Sequence, residues 1–154
     1  MDLSDLLATD GILPALDVTC KKQALQELAV RAAAATGVDE RQIFETLLQR
    51  ERLGSTGLGR GIAIPHVKMK ALTGITCLFA RLAQPIDFES QDGEPVDLIF
   101  LLLAPEHASG DHLKALARIS RLVREPSTLE QLRGARDTAG LRAVLTAPVT
   151  SHAA

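Results

Sequence analysis

The chain has 154 residues, a formal net charge of -2 and 46% hydrophobic residues, which predicts one globular domain with an ample core. Its 17 basic and 19 acidic residues are interspersed, so no concentrated positive field is available to hold nucleic acid or an anionic membrane. Aromatic residues make up 3% of the chain, which argues against stacking platforms for bases or sugars.

The longest apolar run, residues 98–104, is far shorter than the ~20 residues of a membrane-spanning helix. The N-terminal stretch MDLSDLL lacks the basic and apolar regions of a secretory signal. Cys20 and Cys77 form no CxxC motif, which predicts reduced thiols buried as small apolar residues. We therefore expect a cytoplasmic protein with no membrane insertion.

The first predicted elements are a short strand at residues 13–16 and two helices. Apolar residues spaced by three and four predict a helix over residues 21–35, ended by Gly37. Asp39 followed by Gln42 has the form of a capping box and predicts a second helix that continues to about Arg52.

Two strands rich in β-branched and large apolar residues are predicted at 75–82 and 96–103, with a turn at 91–93. Ser109 is the predicted N-cap of the next helix, whose expected apolar face comprises Leu113, Leu116, Ala117, Ile119 and Leu122.

Ser127 with Glu130 predicts a capping box for a short helix, and residues 141–145 belong to a last helix. Residues 149–154 are expected to fray. The order of elements predicts a single α/β domain over residues 1–154, in which helices flank a mixed sheet.

The glycine-rich stretch GSTGLGRGIAIPH, residues 54–66, does not match the familiar phosphate loops. Gly54 and Gly59 have the Walker spacing, but Arg60 and Gly61 occupy the positions that require Lys and Ser or Thr. A dinucleotide fingerprint fails because Ile62 occupies the position of its last glycine. A nucleotide site is therefore disfavoured.

A short strand at 62–64 is expected to lead through Pro65 to His66, because proline fixes its own φ and biases the preceding residue toward extended geometry. A rigidly presented imidazole can act as a nucleophile, an acid or base, or a metal ligand. A hydrogen-bonded packing role is equally compatible with the residues alone. A metal site with His107 and His112 is disfavoured by their spacing, and no metal or cofactor is predicted.

The run RERLGSTGLGRGIAIPH, residues 50–66, together with APEHASGDHL, residues 104–113, resembles the IIA domain of the phosphoenolpyruvate-dependent phosphotransferase system, mannitol/fructose class. The greatest similarity is to the nitrogen-regulatory branch of that family. The resemblance covers nearly the whole chain and implies the same sandwich of a mixed sheet and helices.

The resemblance implies that His66 accepts a phosphoryl group from a phosphohistidine carrier protein (HPr-like), while Arg50 contacts the phosphoryl oxygens and His112 stabilises the site. An ordinary solvated role for Arg50 and a packing role for His112 remain alternatives. Loop shaping is assigned to Gly54, Gly57, Gly59, Gly61 and Pro65.

An exposed apolar rim around His66 would let a carrier dock and exclude water, and the residues expected to form it are Leu58, Ile62 and Val67. Arg60 is an exposed basic residue available to a partner.

The leading function is a phosphohistidine-carrying regulatory protein of nitrogen and potassium physiology that signals to target proteins, and hence an enzyme only as a phosphotransferase relay component. The alternatives are a sugar-uptake IIA component that passes the group to a fructose or mannitol IIB domain, and a non-catalytic binding module. A monomer or weak dimer is expected.

Overall fold

The computed structural model describes residues 2–147 of the chain. Helices flank a six-stranded mixed sheet, which confirms the predicted architecture. The elements in chain order are α1 (Leu3–Leu6), β1 (Leu7–Leu16), α2 (Lys21–Thr36), α3 (Glu40–Arg52), β2 (Gly57–Gly59), β3 (Ile62–Ala63), β4 (His66–Met69), β5 (Thr76–Ile86), β6 (Val96–Pro105), α4 (Ser109–Arg124), α5 (Pro126–Gly134) and α6 (Thr138–Leu145).

The strands are arranged in the order β1-β5-β6-β3-β2, and β4 also pairs with β6. The β5–β6 and β2–β3 pairs are antiparallel, whereas β1 runs parallel to β5 and both β3 and β4 run parallel to β6. Strand β6 therefore has neighbours along both edges and forms the centre of the sheet.

Strand β6 is buried on both faces because its apolar residues run without alternation. Leu98, Phe100 and Leu102 face a cluster that includes α4, α5 and α6, while Ile99, Leu101 and Leu103 face a cluster that includes α2 and α3. Successive side chains of a strand point to opposite faces. One uninterrupted apolar strand thus supplies both cores.

The two predicted N-terminal helices are confirmed. Gly37 follows α2 in the left-handed conformation, with φ of 76°, a geometry that glycine adopts without a Cβ penalty. The Asp39 side chain accepts a hydrogen bond from the Gln42 N–H at 3.0 Å and caps α3. The last helix is likewise confirmed as α6, which the Asp137 side chain caps through the Gly140 N–H.

All four strand predictions need correction at their ends. The first strand begins at Leu7 rather than at residue 13. Its earlier residues show no clear alternation of apolar and polar side chains, and they pair with β5 in an irregular register. The predicted strand at 62–64 stops at Ala63, and a separate strand begins at His66 itself. Strands β5 and β6 were predicted in the right places but extend to Ile86 and Pro105.

The predicted starts and buried face of the later helices are partly wrong. Ser109 is the first residue of α4, with Ala108 at the N-cap. Pro126 begins α5 after Glu125, so the Ser127–Glu130 capping box does not form; proline suits this position because its fixed φ is already helical. The inward stripe of α4 is shifted round the helix from the predicted one and comprises His112, Ala115, Arg118, Ile119 and Val123.

The two cysteines differ in exposure. Cys77 is buried in β5, and burial raises the pKa of its thiol to about 12. Cys20 is exposed, so the expectation that both thiols are buried is wrong for it. Neither forms a disulfide. Within residues 2–147, no helix combines the length and apolarity needed to traverse a bilayer. The tail predicted at 149–154 lies outside the described residues.

Candidate functional site

An open groove of about 890 Å³ contains His66. We call it the His66 groove. It lies where β4 runs along the sheet between α3 and α4, and these elements and the loops beside them contribute the lining residues Thr46, Gln49, Arg50, Leu53, His66, Val67, Lys68, Glu106, His112, Leu113 and Leu116. The three residues to which the family resemblance assigns the site, Arg50, His66 and His112, are therefore brought together by the fold.

The His66 ring is held by a hydrogen bond within its own chain segment. Its Nδ1 lies 2.7 Å from the Ile64 carbonyl oxygen. Because a carbonyl oxygen can only accept, Nδ1 carries the proton, and a neutral ring then has its lone pair on Nε2. His66 pairs with Leu102 across the sheet, which directs it to the face covered by α4. The nucleophilic nitrogen of the neutral ring is therefore Nε2.

His112 lies in the first turn of α4 beside His66, and the two ring centroids are 5.6 Å apart. The residue is only 6% exposed, and its buried Nε2 has no hydrogen-bond partner among residues 2–147. Burial lowers the pKa of His112, and the neighbouring His66 and Lys68 charges lower it further. The groove thus contains an imidazole whose charged form is disfavoured and whose Nε2 is buried.

Two cations and one carboxylate line the His66 groove. Arg50 is in the last turn of α3, and one nitrogen of its guanidinium donates to the Gly54 carbonyl at 2.9 Å. Lys68 follows His66 by two positions in β4 and donates to the Ser109 hydroxyl at 3.2 Å. Glu106 is the carboxylate. Fixed cations with donors still free suit an anionic ligand.

The glycine-rich loop is shaped by positive φ angles, 98° at Gly59 and 83° at Gly61, which favour glycine. Between them Arg60 also has a positive φ of 57°, and its N–H donates to the Asp92 carboxylate at 2.9 Å. That hydrogen bond, together with one from the Glu94 N–H, lowers the pKa of Asp92. The loop is therefore fastened to the turn before β6.

Arg60 is exposed, as predicted, and its side chain also makes contacts within the chain. Its guanidinium donates to the Val123 carbonyl at 2.9 Å and to the Arg124 carbonyl at 3.3 Å. These are carbonyls of the last turn of α4, so Arg60 caps that helix, and its contact with a partner stays a prediction.

The predicted apolar rim is largely wrong. Ile62 is 1% exposed and packs in the core beneath α4, and Val67, although it lines the groove, is 6% exposed. Leu58 is 55% exposed but is not among the lining residues. The exposed apolar residues at the groove are Leu53, 85% exposed, and Leu113, 65% exposed. One follows the end of α3 and the other lies on α4.

Residues 5–147 match the family model described as phosphoenolpyruvate-dependent sugar phosphotransferase system, EIIA 2. The chain belongs to this family. It is 58% identical over 153 residues to a nitrogen regulatory protein of Bradyrhizobium diazoefficiens, covering 99% of this chain and 100% of that protein. The crystal structure of nitrogen regulatory protein IIA-Ntr from Neisseria meningitidis superposes with a TM-score of 0.89 at 35% identity, covering 94% and 99% of the two chains.

A third relative is the fructose-specific EIIABC component of Bacillus subtilis, which is 35% identical over 133 residues. The match covers 86% of this chain and 21% of that protein. The predicted resemblance to the IIA family and its nitrogen-regulatory branch is thus confirmed.

Within this EIIA 2 chain, sequence reasoning missed Lys68, Leu53 and Leu113 as residues of the groove. Lys68 had a usable signal, because alternate residues of a strand share a face and it follows His66 by two positions. Leu53 had none, since its exposure depends on where α3 ends. Leu113 was assigned to the buried face of α4 on hydrophobicity alone. In residues 2–147, no group of three or more His, Cys, Asp or Glu side chains is arranged to hold a metal ion.

Proposed function

We propose that His66 accepts a phosphoryl group on Nε2 from a phosphohistidine carrier protein and that target proteins respond to the resulting charge. The hydrogen bond from His66 Nδ1 to the Ile64 carbonyl carries this proposal, because it leaves the Nε2 lone pair as the nucleophile on the wall of an open groove. No general base is required for a neutral ring with a free lone pair.

The transfer balances without any cofactor. The bond between phosphorus and the carrier imidazole breaks, and its electron pair returns to the carrier ring. The bond between phosphorus and His66 Nε2 forms from the Nε2 lone pair, while the other ring proton stays on Nδ1, hydrogen-bonded to the Ile64 carbonyl. Charge on the equatorial oxygens then requires donors in fixed positions.

The groove supplies those donors. Arg50 presents a planar guanidinium whose remaining N–H groups are free of the Gly54 carbonyl, and Lys68 adds a second cation. His112, whose ring centroid is 5.6 Å from that of His66, donates a ring N–H to a phosphoryl oxygen. These contacts support stabilising roles for Arg50 and His112, and Lys68 extends the predicted set.

A regulatory role is favoured by the 58% identical relative named nitrogen regulatory protein. A phosphoryl group adds a charge of about -1.5 to -2 near neutral pH, which a partner can sense directly. We therefore propose targets in nitrogen and potassium physiology, action in the cytoplasm, and a single IIA domain over residues 1–154. The fructose-specific relative supports the second candidate, in which the group passes to a IIB domain during sugar uptake.

The test is incubation of the purified chain with phosphoenolpyruvate, the first enzyme of the system and a carrier. We expect an acid-labile, base-stable phosphoryl group that His66→Ala abolishes. His107→Ala is the matched control, since His107 is exposed and does not line the groove, and it should label normally. Labelling that survives in His66→Ala would place the acceptor elsewhere.

The same preparation separates the candidate functions. Rapid loss of label to an added fructose or mannitol IIB domain would favour the sugar-uptake role, and label that stays on the chain favours the regulatory one. No labelling with carriers that phosphorylate another IIA protein would instead indicate a non-catalytic binding module.

A further inference from the structure

Glu51 is a buried carboxylate at the end of α3 that the proposed phosphoryl transfer does not use. Its side chain is 5% exposed. Its Oε1 accepts the Thr56 N–H at 3.0 Å, and its Oε2 accepts the Thr56 hydroxyl at 2.6 Å. Lys21, at the start of α2, places its Nζ 3.0 Å from Oε1. Each carboxylate oxygen therefore has at least one partner.

A continuous set of hydrogen bonds connects Glu51 to His66. Thr56, which Glu51 holds by its N–H and its hydroxyl, accepts the Ile64 N–H on its carbonyl at 3.0 Å. Ile64 in turn accepts the His66 Nδ1–H on its own carbonyl at 2.7 Å. The orientation of the carbonyl that selects the His66 tautomer thus depends on the Thr56 backbone, and Thr56 depends on Glu51.

The cost of burying this carboxylate distinguishes it from an ordinary loop contact. A charge withdrawn from water is destabilising unless partners compensate it, and here the compensation comes from another helix. Lys21 is itself sequestered, with Nζ 4.8 Å from the centre of the Phe88 ring and 3.5 Å from the exposed Glu89 carboxylate. An apolar side chain could fill the same space but could not fix the Thr56 peptide.

We infer that Glu51 is a positioning residue for His66, with Lys21 as its counter-ion: it holds Thr56 and Ile64 so that His66 keeps its proton on Nδ1 and presents Nε2. This inference rests on the proposed function for its catalytic consequence, although the effect on the tautomer stands independently. Glu51 is adjacent to Arg50 in the last turn of α3. The same turn therefore carries both the arginine proposed to bind the phosphoryl group and the carboxylate that positions the His66 ring.

The experiment compares Glu51→Ala and Glu51→Gln with the unaltered chain. Long-range ¹H–¹⁵N NMR reports which ring nitrogen of His66 is protonated, and steady-state phosphoryl transfer from the carrier gives kcat and KM. We expect Glu51→Ala to lower the population of the Nδ1–H tautomer and to lower kcat about 10- to 100-fold with little change in KM, because a small misplacement of the reacting atom is enough. Glu51→Gln can still accept the Thr56 N–H on its amide oxygen, but its NH2 group can only donate to the Thr56 hydroxyl and the charge that pairs with Lys21 is lost, so it should fall in between.

A second pair of variants keeps the test decisive if Glu51→Ala does not fold. Thr56→Val removes the hydroxyl and leaves one Glu51 oxygen without its partner, whereas Thr56→Ser retains the bond and should restore the unaltered behaviour. The control is Glu45→Gln, because Glu45 lies on the same helix in an exposed pair with Arg41. This variant should change neither the His66 tautomer nor the kinetics of phosphoryl transfer.

Folded Glu51→Ala and Thr56→Val proteins that keep the wild-type tautomer and kcat would overturn the inference, even if their stability falls. If the tautomer shifts in Glu51→Ala and Thr56→Val while the unaltered chain itself accepts no phosphoryl group, the positioning role is supported and the proposed function is refuted.

Discussion

The two imidazoles of the groove have different surroundings and therefore different chemistry. His66 donates from Nδ1 to a carbonyl, whereas His112 is buried with an unpartnered Nε2 and a lowered pKa. Burial is the main cause, followed by repulsion from His66 and Lys68. Before phosphorylation, the charged form of His112 is thus disfavoured. A phosphoryl group on His66 would reverse the sign of that interaction and favour a proton on His112.

His112 should make the stability of the chain depend on pH. Its pKa is lower in the folded state than in the unfolded state, so the unfolded state binds more protons and stability falls as pH drops below the ordinary histidine value. Between about pH 7.5 and about pH 5.5, we expect the denaturant midpoint of the unaltered chain to fall more steeply than that of His112→Gln.

Comparing the two proteins isolates the contribution of His112 to the pH dependence of stability. The other charged or ionisable residues of the groove are present in both: Arg50, His66, Lys68 and Glu106. Parallel pH profiles would show that protonation of His112 carries no penalty in the folded state. Repeating the measurement on phosphorylated protein should shrink the difference, since the added negative charge offsets the penalty.

At the scale of the elements, Arg60 connects the glycine-rich loop to α4, the helix that carries His112. We expect Arg60→Ala to destabilise the chain by about 1 kcal/mol, because two carbonyls at the helix C-terminus lose a charged donor. Arg and Ala are both strained at the positive φ of position 60, so the backbone strain cancels from the difference in stability between the two proteins. Denaturant unfolding gives the free energy, and hydrogen exchange should show faster opening of the last turn of α4.

The matched control is Arg41→Ala, which removes an exposed arginine paired with Glu45 and should alter stability by less than about 0.5 kcal/mol. Equal losses in the two variants would mean that the contacts of Arg60 contribute nothing beyond an ordinary surface arginine.

Elements defined by local chemistry were predictable from the sequence, whereas those defined by distant partners were not. Asp39 and Gly37 act within a few residues of their helix ends, so α2 and α3 follow from local signals. The N-terminal half of β1 depends on an irregular parallel pairing with β5, far along the chain. The inward face of α4 includes His112 and Arg118, two residues that hydrophobicity alone places outside.

The features of the candidate site also fall into those that the sequence could predict and those that only the folded chain shows. His66, Arg50 and His112 were identified through the family resemblance, whereas the Glu51–Thr56–Ile64 connection required the folded loop. Leu53 and Leu113 are separated by sixty positions of numbering, and only the packing of α3 and α4 around β4 places them on one groove. Long-range packing, rather than residue type, determines which leucines are exposed.

For the whole molecule, the groove's two exposed leucines predict where a protein partner docks. Exposed apolar side chains beside a reactive group mark an interaction surface, and Leu53 and Leu113 line the same groove as His66. If phosphoryl transfer occurs as proposed, the double variant Leu53→Gln/Leu113→Gln should raise KM for the phosphorylated carrier about tenfold. Glutamine keeps a similar volume and is compatible with a helix, so stability should hardly change.

Leu58→Gln separates this surface from general surface hydrophobicity, because Leu58 is 55% exposed but lies outside the groove. It should transfer with unaltered kcat and KM, while the double variant shows its change in KM with little change in kcat. Since the acceptor ring and its hydrogen bonds are intact in all these proteins, the difference measures docking alone. A raised KM in Leu58→Gln, with normal transfer in the double variant, would move the docking surface to the β2 side of the sheet.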